Sequence, residues 1–193
     1  MTTLGHIKTF VILILCTVLM TIISCTNNTK PVDSKKLAED VNNAKMDNTK
    51  DEKDAKFLVR AAEINQEEVR LGQLAQQKGV NAGVKEFGKM MEADHSKAMA
   101  DLTAMANRKY INIPTTPTED SKAAYDKMNG KNGVDFDKDY ADMMVSGHKD
   151  VINLFEKATS DCTDSEIKSW AQSMLPALHS HLDHAQALQN AVK

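Results

Sequence analysis

Residues 82–109 read AGVKEFGKMMEADHSKAMADLTAMANRK. At 100° per residue, Val84, Phe87, Met91, Ala98, Leu102 and Met105 fall on one stripe, so the segment is an amphipathic helix. Asn81, just ahead of it, is a residue type that caps helix N-termini with its side-chain oxygen. Upstream, from about Asp54 to Lys78, Phe57, Leu58, Ala61, Ile64, Gly72 and Ala75 lie on one side of a second helical pattern, which Gly79 terminates. Only a few residues separate the two patterns. The helices are therefore antiparallel neighbours.

Downstream, Tyr110 to Val134 carries Pro114, Pro117, Gly130 and Gly133 and is too broken for a core helix. A short helix from Glu119 to Asn129 fits inside it, capped by Thr118 and stopped by Gly130. Helix three runs from about Asp135 to Thr159 through Phe136, Tyr140, Met143, Met144, Val151, Leu154 and Phe155. Helix four begins at a capping box, Thr163 to Glu166, and keeps Ile167, Ala171, Met174, Leu178, Leu182, Ala185 and Val192 on one stripe. Pro176 inside it removes one backbone hydrogen bond and is expected to bend it. A connector of some twenty-five residues spans ~80 Å when extended, ample to run the length of a ~40 Å bundle. The expected fold is all-α: a ferritin-like four-helix bundle, up-down-down-up, with a long crossover between helices two and three. An exposed crossover should tolerate cleavage better than either helical hairpin.

Composition agrees. The 193 residues include eleven Met but only eight Gly and four Pro, which favours helix and excludes an all-β domain. With 24 Lys+Arg against 27 Asp+Glu and 5% aromatics, the chain has neither the charge nor the stacking surface for nucleic acid. Phe10 to Ile23 reads FVILILCTVLMTII, about 21 Å of helix, shorter than a bilayer core of ~30 Å. It has the form of a signal peptide. Its end, Ile22-Ile23-Ser24-Cys25, is similar to the bacterial lipobox, in which the Cys is lipidated and becomes the mature N-terminus. The expected organisation is a signal peptide over 1–24, a flexible polar tether over 25–53 that is anchored to the membrane by lipid on Cys25 and has room for a short helix around Lys35 to Lys45, and the helical domain over 54–193. Thr26 after the Cys resembles lipoproteins sorted to an outer membrane, facing the periplasm. After processing only Cys162 remains besides the lipidated residue, so the domain has no internal disulfide.

Four polar residues interrupt the apolar stripes. Glu68 is in line with Phe57 and Ala75, His95 lies about 40° from Met91, and His181 about 40° from the centre of helix four's stripe. His148 is about 60° off its own. Under the crossover topology all four fall within ~1.5 helical turns of one level; without it, two of them miss by ~10 Å. One carboxylate and three neutral imidazoles suit zinc, iron or copper. Asp94, beside His95, would orient a ligand or flank the site. The competing reading is a hydrogen-bonded polar layer with no metal. Glu92 and His95 share the Glu-x-x-His spacing of di-iron bundles, but Glu92 projects about 100° from the stripe and position 178 is Leu. His179 and His184 lie off the stripe and should be solvated.

Phe57-Leu58-Val59-Arg60-Ala61-Ala62-Glu63, Glu68-Val69-Arg70-Leu71-Gly72, Phe87-Gly88-Lys89-Met90-Met91 with Asp94-His95, Phe136-Asp137 with Tyr140 and His148, and Leu175-Pro176 with His181-Leu182 occur in that order. Together they resemble the bacterial domain of unknown function 4142 family over residues 54 to 190. The resemblance implies an exported, ferritin-like helical bundle and no particular activity. Two functions stand open: a lipid-anchored, non-catalytic envelope module that binds a metal or a protein partner, and a metal-dependent oxidase or iron-handling protein. No nucleophile and base are paired, and no phosphate-binding glycine loop is present. Oligomeric state is left open.

Overall fold

A computed structural model of the chain describes residues 32–46 and 49–193. The expected signal peptide and Cys25 lie outside the described residues. Among the described residues there are six helices and no strand: α1 (Ser34–Lys45), α2 (Thr49–Lys78), α3 (Ala82–Arg108), α4 (Glu119–Asn129), α5 (Gly133–Asp161) and α6 (Ser165–Ala191). The four helices expected from periodicity are α2, α3, α5 and α6, and the short helix inside the connector is α4.

Local signals account for most boundaries. Asn81 caps α3 by accepting from Gly83 N, and Thr118 caps α4 by accepting from Ser121 N. Helix α5 starts two residues early, at Gly133, whose φ of 60° is a backbone conformation that favours glycine. Helix α6 is capped one residue later than expected. Asp164, not Thr163, accepts from Glu166 N and Ile167 N. Thr163 instead donates its N–H and hydroxyl to Asp54 at 2.7 and 3.0 Å. Asp137 performs the matching task at the other end, accepting from Val80 N and Asn81 N at 3.1 and 2.7 Å. A carboxylate from each helical hairpin thus holds the turn of the other.

Cross-helix contacts define direction. Between α2 and α5, Phe57 meets Phe155 with ring centroids 5.1 Å apart, while Glu68 lies beside Gly147, so these helices run antiparallel. Between α3 and α6, Gly83 lies beside Leu188 and Asp94 bonds His181, again antiparallel. Across the diagonal, Phe87 faces Tyr140 and His95 faces His148, so α3 and α5 run parallel. A connector long enough to return along the helices makes that possible. Helices α2 and α3 approach backbone to backbone at Gly72 and Gly88, where a Cβ on Gly72 would lie 2.6 Å from the Gly88 carbonyl oxygen. No larger residue fits there without separating the helices.

Apolar residues form two clusters. One gathers Phe57, Leu58, Leu102, Phe155 and Ile167; the other gathers Leu74, Phe87, Met91, Phe136 and Tyr140. The three buried histidines belong to neither cluster and sit, by their positions along the helices, between them.

Two expectations fail here. The tether expected over 25–53 contains the short helix its sequence allowed, over 34–45, but that helix is docked, and α2 already begins at residue 49. Ala38 and Asn42 of α1 are buried, and Asn42 donates to the Asn112 carbonyl at 2.8 Å and accepts from Asn112 N at 2.8 Å. Nor is the crossover an exposed strap: Ile111, Thr118, Ser121 and Met128 are buried. Asp33 caps α1 through Lys35 N and Lys36 N and also accepts from Glu119 N at the start of α4. A segment too polar to build a core can still pair its backbone and amides with another polar segment, and composition does not register that.

Candidate metal centre

His95 on α3, His148 on α5 and His181 on α6 are 3%, 1% and 3% exposed. Each is in phase with apolar neighbours on its own helix, and the packing of three helices brings His148 edge to face against both other rings, with His95 and His181 tilted at 45°. Ring centroids lie 6.0 Å apart for His95 and His148, and 5.4 Å for each pair involving His181. One nitrogen from each ring lies within 4.8 Å of the others. A tetrahedral ion with nitrogens at ~2.1 Å holds them ~3.4 Å apart, so a displacement of no more than about 0.8 Å per ring closes the set.

The hydrogen bonds around the triad decide which nitrogens are available. His148 Nδ1 faces the Met144 carbonyl oxygen at 2.9 Å, and a carbonyl only accepts, so Nδ1 carries the proton. His181 Nε2 lies 2.9 Å from Asp94 Oδ2 and donates to it. Asn65 gives its amide N–H to the Ala61 carbonyl, which leaves Oδ1 to accept from His95 Nδ1 at 2.9 Å. Each hydrogen bond thereby selects which nitrogen of its ring is the donor. The nitrogens left over, Nε2 of His95, Nε2 of His148 and Nδ1 of His181, are buried lone pairs without a hydrogen-bond partner. Three buried acceptors left unpaired cost ~1 to 3 kcal/mol each in an apolar interior. A cation satisfies all three at once, and ligating histidines whose second nitrogen donates to a carbonyl or carboxylate are the usual outer arrangement of metal sites.

Burial also keeps the rings ready to ligate. Desolvation, followed by the neighbouring histidines, holds His95 well below the usual imidazole range, and desolvation lowers His148 to about 4. Both are neutral at pH 7, so no proton has to leave when a metal binds.

Glu68 departs from expectation. It is buried, but its carboxylate does not join the group of ligand atoms within 4.8 Å. The α2 residue that reaches the triad is Asn65; Glu68 is three residues further along, about 4.5 Å nearer the α2–α3 turn. It lies beside Gly147, and its Oε2 has no partner. Desolvation, with a smaller push from Glu67, raises its carboxyl to about 8, so it is protonated at neutral pH. Tyr140, in the same region, also has an unpartnered hydroxyl. Asp94 does meet its expected neighbour through His181. Glu92 instead accepts from Gln73 and Gln76, and His179 and His184 are exposed. Asn65 escaped the sequence reading although it follows Ala61 by four residues on the buried side.

The family described as Domain of unknown function (DUF4142) matches residues 39–188. The chain belongs to this family. The matched span of this DUF4142 chain contains the whole triad with Asn65, Glu68 and Asp94, begins within α1, and stops short of Cys25. No curated protein and no solved structure matches the chain.

The titrating groups set the stability of the metal-free protein. Below the unfolded histidine pKa of about 6.5, the unfolded chain binds protons that buried His148 and His95 refuse, so stability falls with falling pH, down to about 4 for His148. Glu68 acts oppositely. Between its unfolded value of 4.5 and its folded value of about 8, the native state holds a proton the unfolded chain has released, so stability falls with rising pH. From pH 6.5 to 8 only the second effect operates, at about 1.4 kcal/mol per pH unit. Denaturant unfolding at stepped pH is expected to show a maximum near pH 6 to 7, and Glu68→Gln to remove the alkaline decline.

Proposed function

We propose that this DUF4142 protein is a transition-metal-binding module of the cell envelope, held at a membrane by lipid on Cys25 and built as a ferritin-like four-helix bundle. The observation that carries the metal reading is the set of three buried histidines that bring one nitrogen each within 4.8 Å of the others, while each ring keeps one nitrogen without a hydrogen-bond partner. Neutral imidazoles of intermediate softness suit zinc, copper or iron. The parallel run of α3 and α5 and the two antiparallel hairpins support the ferritin-like arrangement.

The rings are almost wholly buried, so an organic substrate has no approach to the metal without helix movement. That favours a binding role over an oxidase. Metal analysis of protein purified from its native envelope, followed by titration of the metal-stripped full-length protein with zinc, iron(II) and copper(II), tests the proposal. One equivalent bound tightly is the expected result; only weak, superstoichiometric binding of every metal overturns it. Dioxygen uptake on adding iron(II) would replace the binding role with the oxidase.

Asp94 is half exposed and holds His181 from outside, so Asp94→Ala is expected to weaken metal binding 10- to 100-fold, estimated as ~10–100 for an outer partner, while leaving the fold intact. The anchor is tested separately. Cys25→Ser should release unlipidated protein from membranes, and a mature-size, membrane-bound variant would remove the lipid from the proposal.

A further inference from the structure

A groove of about 760 Å³ opens between α2, α4 and α5, and buried Glu68 and Gly147 are among its lining residues. Gly147 immediately precedes His148. A Cβ at position 147 would meet one neighbouring atom within 4 Å, Glu68 Oε1 at 3.7 Å, so the helix wall is thin where the carboxylate lies. Glu68 is 5% exposed, and its second oxygen has no hydrogen-bond partner.

The remaining lining sets apolar side chains such as Ile64, Met143 and Leu154 beside charged ones, among which acidic residues outnumber basic ones. Glu67, Asp139, Asp142 and Asp150 face Arg60 and Lys127. Arg60 is already committed to Glu63 at 2.5 Å, while Asp139 is paired with Lys131 and Asp142 accepts from Gln189. Glu67, Asp142 and Asp150 line the groove without a cation in an ion pair, and of these Asp142 accepts from the neutral Gln189 amide. Low-dielectric walls lined with one sign of charge concentrate the opposite ion.

We infer that this groove is the entry path of the divalent cation and that Glu68, releasing its proton to the water of the groove as the ion arrives, is the carboxylate that receives it and passes it to the histidine triad. The inference rests on the triad being the metal site. A buried ion cannot cross an apolar layer bare, and a carboxylate one helical turn from the triad gives it a resting point inside the wall. Glu68 then acts on the rates of loading and unloading and is not a permanent ligand.

Cobalt(II) tests this in the full-length protein, because its visible absorption reports the ligand set. Glu68→Gln is expected to slow both cobalt uptake and chelator-driven release about 10-fold, with the equilibrium affinity and the absorption spectrum unchanged. Asp150→Lys, a surface change that leaves the core alone, should slow uptake at low salt and lose this effect at high salt, whereas Asp183→Lys on exposed α6 should not. Unchanged rates in Glu68→Gln overturn the entry path. A weaker affinity with an altered spectrum overturns it differently, by making Glu68 a ligand. If the wild-type protein takes up no cobalt, zinc or copper, the triad reading itself fails and the path falls with it.

Discussion

His95→Ala is expected to abolish stoichiometric metal uptake while the helical circular dichroism survives. His95 contributes one of three converging nitrogens, and two histidines on α5 and α6 do not enclose an ion. The loss should exceed about 100-fold in affinity, above what removal of an outer hydrogen-bond partner costs. The fold should persist because the two apolar clusters on either side of the histidines do not depend on the ring. The variant leaves Asn65 Oδ1 without its donor, a cost of about 1 to 3 kcal/mol, offset in part because one unpaired imidazole nitrogen disappears. His95→Gln refines the test: an amide retains polarity at the site without the imidazole nitrogen, so metal should still be lost. Calorimetric titration with zinc and copper(II) reads the result. Equal binding by wild type and both variants would reduce the triad to a structural polar layer.

Glu63→Ala is expected to cost about 3 kcal/mol of stability, at the low end for breaking a buried ion pair, since Lys35 and Arg60 are partly exposed and can regain water. The carboxylate is fully buried, receives Lys35 Nζ from α1 at 3.0 Å, Arg60 Nη1 from α2 at 2.5 Å and the Thr118 hydroxyl from the crossover at 2.8 Å. Burial alone would raise its pKa; the hydrogen bonds from Arg60, Lys35 and Thr118 outweigh that and hold it below the usual range. Its stabilisation is therefore present above the unfolded value of about 4.5 and is lost as pH falls through the lower folded value. Thermal unfolding should shift down by roughly 6 to 12 °C for a domain of this size. Hydrogen exchange should show α1 opening before α2, and metal affinity should be unchanged. If α1 stays as protected as in wild type, Glu63 is not what holds it.

Glu63 and Glu68 mark how far the sequence could be read. They lie five residues apart on one helix and both are buried, yet the first is ionised with three donors and the second is protonated with an unpartnered oxygen. Helical phase predicts burial of Glu68, because burial follows from 3.6 residues per turn and the neighbouring apolar residues. It carries no information about which distant side chains arrive, and those decide charge. The same division runs through the site. Periodicity placed His95 and His181 inward and His148 at the edge of its stripe, and connector length matched their levels; both are one-dimensional quantities. The tautomers depend on Asn65, the Met144 carbonyl and Asp94, and only the packed helices bring Asn65 and Asp94 to the rings. Asn65, in phase with Ala61, was legible as buried but not as a partner of His95. Glu68 lay within the estimated range of levels, yet one turn of helix, about 5.4 Å, separates a ligand from a neighbour, and level matching resolves no better than that. Segment 34–45 and the crossover looked solvated because a core requires apolar residues. Their docking uses amide, hydroxyl and carboxylate groups that satisfy each other across the fold, and those pairings exist only once the tertiary structure has formed.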